Sequence, residues 1–254
     1  MGKIIAVANQ KGGVGKTTTS VNVAASLVHL GYRVLLVDLD AQGNATMGCG
    51  VDKQTVEHSA YEVLTGKSFV GDAIVTVDPD GLDLLPGNSD LTAAQVELLD
   101  RIGRERVLAD AMASCAEDYH FVVVDCPPAL NILTLNALVA ADSVLIPMQC
   151  EYYALEGLTD LLGTLENVRE ILNPNLEVEG LVRTMFDSRS RLASEVSAQL
   201  VEHFGDKVFE TIVPRNVRLA EAPSHGVSIV RYDRGSKGAQ AYLALAEELV
   251  RRNA

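Results

Sequence analysis

Short apolar runs alternate along the chain with amphipathic stretches. Most of the runs are continuous and rich in β-branched residues, which is typical of strands buried on both faces of a parallel sheet. They predict seven strands, at residues 4–9, 33–38, 82–85, 121–125, 143–148, 178–185 and 208–213. Helical periodicity between the runs predicts six helices, at residues 17–30, 92–116, 133–140, 155–172, 192–204 and 237–252. This alternation predicts a doubly wound α/β fold, a mostly parallel sheet flanked by helices on both faces.

A glycine-rich stretch joins the first predicted strand to the first predicted helix. Its members are Lys11, Gly12, Gly13, Val14, Gly15, Lys16, Thr17 and Thr18. Glycine N–H groups can curl around phosphate oxygens, and the helix N-terminus adds a partial positive charge. We therefore expect a phosphate-binding loop in which Lys16 reaches the terminal phosphates and the Thr17 hydroxyl ligates Mg²⁺. A glycine-rich turn that binds nothing is the alternative, and the strand and helix around the loop disfavour it.

Two residues distinguish this loop from the usual phosphate-loop motif. Gln10 occupies the position of the first glycine, and Lys11 places a second lysine at the head of the loop. An ordinary phosphate loop does not require a charge there.

Aspartates follow two further predicted strands. Asp38 and Asp40 come after the second strand, beside the amides of Gln42 and Asn44, and Asp125 ends an apolar strand before Pro127 and Pro128. Because ligands of such sheets lie beyond the carboxyl ends of the strands, these carboxylates should stand near the bound phosphates. They are suited to ordering Mg²⁺ and the attacking water, with Asp125 as a Walker B residue, although a polar turn with a capping Asp is the alternative for the first pair.

Composition narrows the class of protein. The 254 residues show no linker or low-complexity tract, so we expect one domain over residues 1–254. Four cysteines without C-x-x-C spacing suggest neither a zinc site nor a disulfide framework, and fit a reducing cytosol. The sequence shows no signal peptide and no apolar run of membrane-spanning length, so we expect a cytoplasmic protein.

The net charge of −13 taken alone argues against a nucleic-acid partner. The charge is unevenly distributed, however. Residues 183–237 hold nine Lys/Arg and seven Asp/Glu, a net of +2, which leaves −15 for the rest of the chain. That asymmetry permits a local basic face, although solvated surface charge explains such clusters more commonly.

The motifs together resemble a known family. Residues 11–18, 38–44 and 125–128 are similar to the deviant Walker A ATPases, a branch of the P-loop NTPases. Residues 91–94, 135–138, 149–157, 183–187 and 213–224 resemble the ParA/Soj chromosome and plasmid partition proteins more narrowly, and the resemblance runs almost end to end. One departure is Ala41, where the family usually carries proline.

The resemblance implies a mechanism and its residues. Two ATP-bound monomers close face to face, Lys11 reaches the phosphates of the partner, and a ParB-like centromere-binding protein stimulates hydrolysis. Asp40 would orient the water, Asp38 would support the metal shell, and Pro214 and Asn216 would lie near the adenine.

The resemblance also implies binding to double-stranded DNA without sequence preference, which needs phosphate contacts only. It places the protein on the nucleoid within the cytoplasm, away from membranes. The candidate DNA contacts are the spaced basic residues of the net-positive stretch, namely Arg189, Arg191, Arg215, Arg218, Arg231, Arg234 and Lys237.

Two other functions share this ATPase core. A MinD-like regulator would bind membranes, but residues 239–252 place Tyr242, Leu245, Ala246 and Leu249 on one face, which indicates a docking helix rather than a basic anchor. A reductase of the nitrogenase iron protein type would need two suitably placed cysteines. Cys126 stands near the right strand end, but its Cys-Pro-Pro setting resembles the partition family.

Overall fold

The computed structural model describes residues 2–78 and 81–254. Within them the strands form an eight-stranded sheet in the order β3-β4-β2-β5-β1-β6-β7-β8. Their bounds are Lys3–Val7 (β1), Val34–Asp38 (β2), Val75–Val77 (β3), Leu82–Leu85 (β4), Phe121–Asp125 (β5), Ser143–Gln149 (β6), Glu177–Phe186 (β7) and Val208–Pro214 (β8). Neighbouring strands pair in parallel except at the edge, where β3 is antiparallel to β4.

The α-helices of the described residues vary from four to eighteen residues. Their bounds are Lys16–His29 (α1), Asn44–Gly48 (α2), Ala60–Thr65 (α3), Val70–Ala73 (α4), Leu91–Glu97 (α5), Val107–Met112 (α6), Ile132–Ala140 (α7), Ala154–Ile171 (α8), Arg191–Phe204 (α9), Val217–Glu221 (α10), Ile229–Tyr232 (α11) and Lys237–Arg252 (α12).

The sheet is buried on both faces. Ile4 and Ala6 of β1 point into one apolar cluster, while Ile5 and Val7 point into the other. Helices of the middle of the chain cover the first face, and α1 and α12 cover the second. The doubly wound α/β fold predicted from the continuous apolar runs is therefore confirmed.

The C-terminal helix docks as its pattern predicted. Tyr242, Leu245, Ala246 and Leu249 are all buried against the second face of the sheet. The carboxylate of Glu248 accepts the N–H groups of Glu210 and Thr211 at 2.8 and 2.9 Å, which fixes α12 to the edge strand β8. Among the described residues, no helix combines the length and the apolarity needed to cross a membrane.

The continuous helix predicted at residues 92–116 is wrong. The structure has α5, a 3₁₀ turn at Leu98–Asp100, a turn through Gly103 at φ 71°, and then α6. The Asn136 side chain accepts the N–H of Leu108 at 3.1 Å and donates to the carbonyl of Arg104 at 2.7 Å. Those bonds satisfy backbone groups that a continuous helix would pair internally, so the segment can fold back and bury both halves.

Several short elements were not predicted. They are the three-residue edge strand β3 and the short helices α2, α3, α4, α10 and α11. Segments of four to six residues are too short to show a helical period, so their signal is in the caps. Ser59 and Glu62, for example, form a reciprocal capping box at the start of α3.

Candidate nucleotide-binding site

The three motifs meet at the carboxyl ends of neighbouring strands. Val7 at the end of β1 is in register with Asp125 at the end of β5, and Asp125 is in register with Asp38 at the end of β2. The glycine-rich loop leaves β1 at this edge and enters α1 at Lys16. The structure thus places together, at one end of the sheet, residues that are more than a hundred positions apart in sequence.

Side chains outside the motif hold the loop in shape. Gly13 and Gly15 have φ of 75° and 86°, a left-handed conformation that side chains rarely adopt. Asn9 accepts the N–H of Lys11 at 2.9 Å and donates to the carbonyl of Pro147 at 2.8 Å. The Thr184 hydroxyl donates to the carbonyl of Val14 at 2.7 Å, which fastens the loop to β7.

Lys16 lies inside the loop rather than over it. Its side chain is buried, and its ammonium donates to the carbonyl of Lys11 at 3.1 Å. Burial lowers the pKa of Lys16, while the nearby Asp125 carboxylate opposes that shift. A buried ammonium with one backbone acceptor gains strongly from a phosphate in front of it.

Asp125 forms the floor of the site and keeps one oxygen unpaired. Its side chain is fully buried, and its Oδ1 accepts the Ser20 hydroxyl at 2.7 Å. Its Oδ2 has no hydrogen-bond partner within residues 2–78 and 81–254. Burial, and next the neighbouring Asp38, raise the pKa of Asp125. A buried acceptor without a partner is costly, so this carboxylate is suited to a cation or its water shell.

Asp38 is also fully buried, but its oxygens have partners. Its Oδ1 accepts the N–H of Asp40 at 3.1 Å, and its Oδ2 accepts both the N–H and the hydroxyl of Thr46, at 2.8 and 2.7 Å. Burial raises the pKa of Asp38, and the Thr46 bonds work against that rise. Asp38 therefore fixes the loop that leaves β2, and with it Asp40.

The residues fit a magnesium nucleotide. Thr17 stands in the first turn of α1 and lowers the pKa of Asp125, so hydroxyl and carboxylate share one corner of the site. Asp40 is half-exposed and accepts the N–H of Gln42 at 3.0 Å. Hydroxyl and carboxylate oxygens are the ligands that Mg²⁺ prefers.

A cavity of about 340 Å³ continues the site beyond the loop. Gly15, Thr18, Met185, Pro214 and Asn216 are among its lining residues, so both residues predicted near the adenine face it. Asn216 also caps α10 by accepting the N–H of Leu219 at 3.3 Å. A larger cavity of about 750 Å³ lies at the amino ends of β7 and β8, away from this edge, so volume alone does not locate the site.

Lys11 stands on the exposed rim of the site. Its ammonium lies 2.6 Å from the carboxylate of Glu151, and both side chains are about half exposed (40% and 51%). Within one chain the Lys11 ammonium is therefore paired with Glu151. Its cross-subunit role stays a prediction.

The seven candidate DNA contacts are all exposed and lie in two places. The first place lies around Asp187. Arg189 pairs with Asp187 at 2.8 Å, and the charge of Arg215 helps to lower the pKa of that carboxyl. Arg191 follows in sequence and pairs with Glu195. Arg218 lies in the other place, 2.8 Å from Glu221 and 3.5 Å from Asp233. The remaining three follow it along the chain, namely Arg231, Arg234 and Lys237.

One residue of the net-positive stretch is structural. Arg183 is buried and donates to the carbonyls of Phe209 and Glu210 at 2.6 and 3.1 Å, where the pairing of β7 with β8 is irregular. Arg183 therefore does not contribute to the surface charge, and eight of the nine Lys/Arg of residues 183–237 remain as candidates for a basic face.

Sequence reasoning missed four residues that shape the site: Asn9, Ser20, Thr46 and Thr184. Their signal is weak because they hold loops and carboxylates through hydrogen bonds across strands. Only Ser20 could have been inferred, since it lies one helical turn after Lys16 on the face that meets Asp125.

Cys126 does not fit a cluster ligand. Its thiol is buried against the carbonyl of Val124, and burial raises its pKa. Only the thiolate binds metal.

Comparison with known proteins agrees with this geometry. Residues 2–178 match the family model described as an AAA domain. The chain is 51% identical over 249 residues to the sporulation initiation inhibitor protein Soj of Bacillus subtilis, covering 98% of each chain. It is 54% identical over 249 residues to the chromosome-partitioning ATPase Soj of Thermus thermophilus, covering 98% of this chain and 95% of that one.

A solved structure shares the fold over nearly the full length. It is titled cobyrinic acid a,c-diamide synthase from Mycobacterium smegmatis, with bound ADP and magnesium; its TM-score is 0.87 at 41% identity, over 99% of this chain and 95% of that chain. ATP and Mg²⁺ are therefore the cofactors that match the loop and its carboxylates. The eight-stranded sheet, the loop entering α1 and the Soj relatives lead to one conclusion: the chain belongs to the ParA/Soj family of chromosome-partitioning P-loop ATPases.

Proposed function

We propose that the protein is an ATP-dependent DNA-partition switch. ATP drives dimerisation and non-specific DNA binding, and hydrolysis stimulated by a ParB-like partner releases the DNA. The observation that carries the proposal is the buried carboxylate of Asp125, whose Oδ2 has no hydrogen-bond partner among the described residues and which lies near Lys16, together with exposed basic residues elsewhere on the same chain.

In hydrolysis the oxygen of a water molecule bonds to the γ-phosphorus of ATP. The bond between that phosphorus and the β-γ bridging oxygen breaks, which gives ADP and phosphate. The bound magnesium supplies charge compensation for the phosphates. Lys16 would hold the terminal phosphates, Thr17 and Asp125 would hold the metal shell with support from Asp38, and Asp40 would orient the water. Asp38 positions Asp40 through the N–H bond at 3.1 Å. Asp40→Ala should therefore bind ATP but accumulate as a DNA-bound dimer, and a phosphate-release assay with wild-type turnover would remove Asp40 from the mechanism.

The exposed position of Lys11 on the rim supports the proposal that ATP drives dimerisation. Lys11 carries a charge that the buried floor of its own site does not use, and its partner Glu151 is exposed. A second copy presenting a triphosphate would compete for that ammonium, since phosphate binds it more strongly than an exposed carboxylate. Lys11→Ala should bind ATP as a monomer and fail to dimerise in light scattering, whereas normal dimers would contradict the cross-subunit role.

DNA binding is assigned first to Arg218, within the motif at 213–224. Arg218→Glu should leave ATP binding and dimerisation intact and weaken binding uniformly across unrelated duplexes, because phosphate contacts carry no sequence information. Arg33→Glu makes the same charge change on an exposed arginine outside the basic stretch, at the amino end of the inner strand β2. Filter binding over a salt series should separate the two, and equal losses would show that only net charge matters.

A MinD-like membrane regulator is the second candidate. The burial of Tyr242, Leu245 and Leu249 on β8 and α1 supports a docked C-terminal helix instead. ATP-dependent sedimentation with anionic liposomes would favour the membrane candidate.

A further inference from the structure

The short helix α2 connects the aspartate loop to the basic part of the chain. It begins after Gly43, which is left-handed with φ 58°, and spans Asn44–Gly48. One end of it faces the nucleotide site, and the other faces residues 222–226.

Thr46, a fully buried residue in the middle of α2, fixes the helix to the loop that carries Asp38 and Asp40. Its N–H and hydroxyl donate to Asp38 at 2.8 and 2.7 Å, and its hydroxyl oxygen accepts the N–H of Gly87 at 2.8 Å. The space is closed around this network, because a Cβ on Gly87 would lie 2.5 Å from the carbonyl oxygen of Asp38. A change at Asp38 and Asp40 must therefore move α2 or break buried hydrogen bonds.

The second end meets another backbone directly. Gly50 and Gly226 both have positive φ, at 83° and 62°. A Cβ on Gly50 would lie 2.7 Å from the carbonyl oxygen of Gly226, and a Cβ on Gly226 would lie 2.7 Å from the Cα of Gly50. No flexible side chain separates the two glycines, so a shift of one is passed to the other.

Gly226 belongs to a segment that is tied together internally. Arg218 pairs with Glu221 and Asp233, Tyr232 donates to Glu221 at 3.2 Å, and the rings of His225 and Tyr232 stack with centroids 4.9 Å apart. Residues 218–233 therefore tend to move as one piece, together with the basic residues that they carry.

We propose that α2 transmits the state of the γ-phosphate from the Asp38 and Asp40 loop, through Thr46 and the Gly50–Gly226 contact, to the basic segment at residues 218–234. This inference rests on the proposed function, since it names how the nucleotide regulates the surface assigned to DNA. Coupling then depends on a steric contact between two backbones, and removing that contact should separate nucleotide binding from DNA binding.

The nucleotide could also affect the basic segment by a second route, direct contact with its first residues, and the test must separate that route from α2. The cavity beside the phosphate loop is lined by Pro214, Asn216 and Leu219, so any adenine nucleotide there touches the start of the segment. ADP and ATP fill that cavity alike, whereas only ATP places a γ-phosphate near Asp40. Comparing Mg-ADP with a magnesium complex of a non-hydrolysable ATP analogue therefore removes the adenine contact from the difference. Light scattering of each variant then separates the α2 route from dimerisation, which ATP also drives in the proposed function.

The variant is Gly226→Ala, and the matched control is Gly66→Ala. Both glycines are left-handed helix caps, with φ 62° and 75°, but a Cβ on Gly66 meets nothing within 4 Å. The control therefore reproduces the backbone strain without the clash. Thr46→Val and Thr46→Ser test the other end, because serine keeps the hydroxyl bonds to Asp38 and Gly87.

Hydrogen exchange and duplex DNA affinity are measured with each nucleotide. In the wild type and Gly66→Ala, the analogue should alter exchange in residues 39–50 and 225–234 relative to ADP, and raise DNA affinity by the factor of about 5 to 150 typical of allosteric coupling. In Gly226→Ala and Thr46→Val the response at 225–234 should disappear and the affinity ratio should fall toward one, with Thr46→Ser restoring both.

The two proposals fail differently. A wild type that binds no DNA contradicts the proposed function, while its exchange at 225–234 still tests the coupling. A Gly226→Ala protein that keeps the wild-type response at 225–234 overturns the inference, even if DNA binding is normal. So does a wild type with no difference between ADP and analogue at those amides.

Discussion

The charged residues on the floor of the nucleotide site are buried, whereas the basic residues of the segment at residues 218–234 are exposed. Lys16, Asp38 and Asp125 are buried, and their pKa values are shifted by burial. Arg218 of the basic segment is exposed and pairs with Glu221 and Asp233 of the same segment. Buried charge is costly unless a ligand compensates it, whereas exposed pairs are screened by water. Single substitutions should therefore have large effects in the floor and small effects on folding in the segment.

The largest effect is expected at Lys16. Lys16→Ala removes a buried ammonium from the phosphates, and it should lower ATP affinity by at least about 100-fold, the loss expected for a charge-assisted contact in a desolvated site. Calorimetry measures the affinity, with Lys67→Ala, an exposed lysine outside the loop that pairs with Glu97, as control. Unchanged affinity would mean that the floor does not depend on this charge.

A pH-dependent effect is expected at Asp125. Burial raises the pKa of its carboxyl from 3.8 to about 7, so the folded state binds the proton more tightly than the unfolded state. Stability from this group is present below pH 3.8 and is lost as the pH rises toward 7. Without Mg²⁺, Asp125→Asn should therefore melt at a higher temperature than wild type at pH 8, and the gain should vanish near pH 4.

Melting followed by circular dichroism over that pH range checks the sign. Magnesium nucleotide should raise the melting temperature of wild type and affect Asp125→Asn less, because the carboxylate that it compensates is gone. If Asp125→Asn raised the melting temperature equally at pH 5 and pH 8, the charge of Asp125 would not be what destabilises the floor.

A smaller effect is expected at Ala41, between the floor and solvent. The N–H of Gly43 bonds to the carbonyl of Asp40 at 2.8 Å, which places Ala41 at the second position of a turn, where proline is favoured. Ala41→Pro should stabilise the fold by about 0.4–1 kcal/mol, chiefly by restricting the unfolded chain. Ala41→Gly should shift the melting temperature the other way. If both variants melted at a lower temperature than wild type, the turn would need a backbone conformation that proline cannot adopt.

The smallest effect on folding is expected in the basic segment. Arg218→Ala removes only exposed ion pairs, so its melting temperature should match that of wild type. Its affinity for DNA should still fall and the salt dependence should weaken by about one counterion per site. A clear loss of stability would mean that the pairs with Glu221 and Asp233 contribute to the stability of the whole fold and not only to contacts inside the segment.

The sequence predicted the regular parts of the fold well. The strands β4 and β5 and the helix α12 have the predicted bounds, because turn residues lie close to both short apolar runs and a strong helical period marks α12. It failed at residues 92–116, where Asn136 from α7 supplies the bonds that break the helix. A single domain over residues 1–254 and the roles of the site residues stay predictions.

The sequence by itself determined the phosphate loop, the order of strands and helices, and the aspartates at strand ends, since each follows from local pattern. Only the tertiary structure decided what those residues meet. It put Asp38 beside Asp125, gave Asp38 its bonds to Thr46, left one oxygen of Asp125 unpaired, and set Gly50 against Gly226. Apart from the bonds between Asp38 and Thr46, these contacts join positions far apart in the chain, and burial and packing, which a local pattern does not encode, give them their energies.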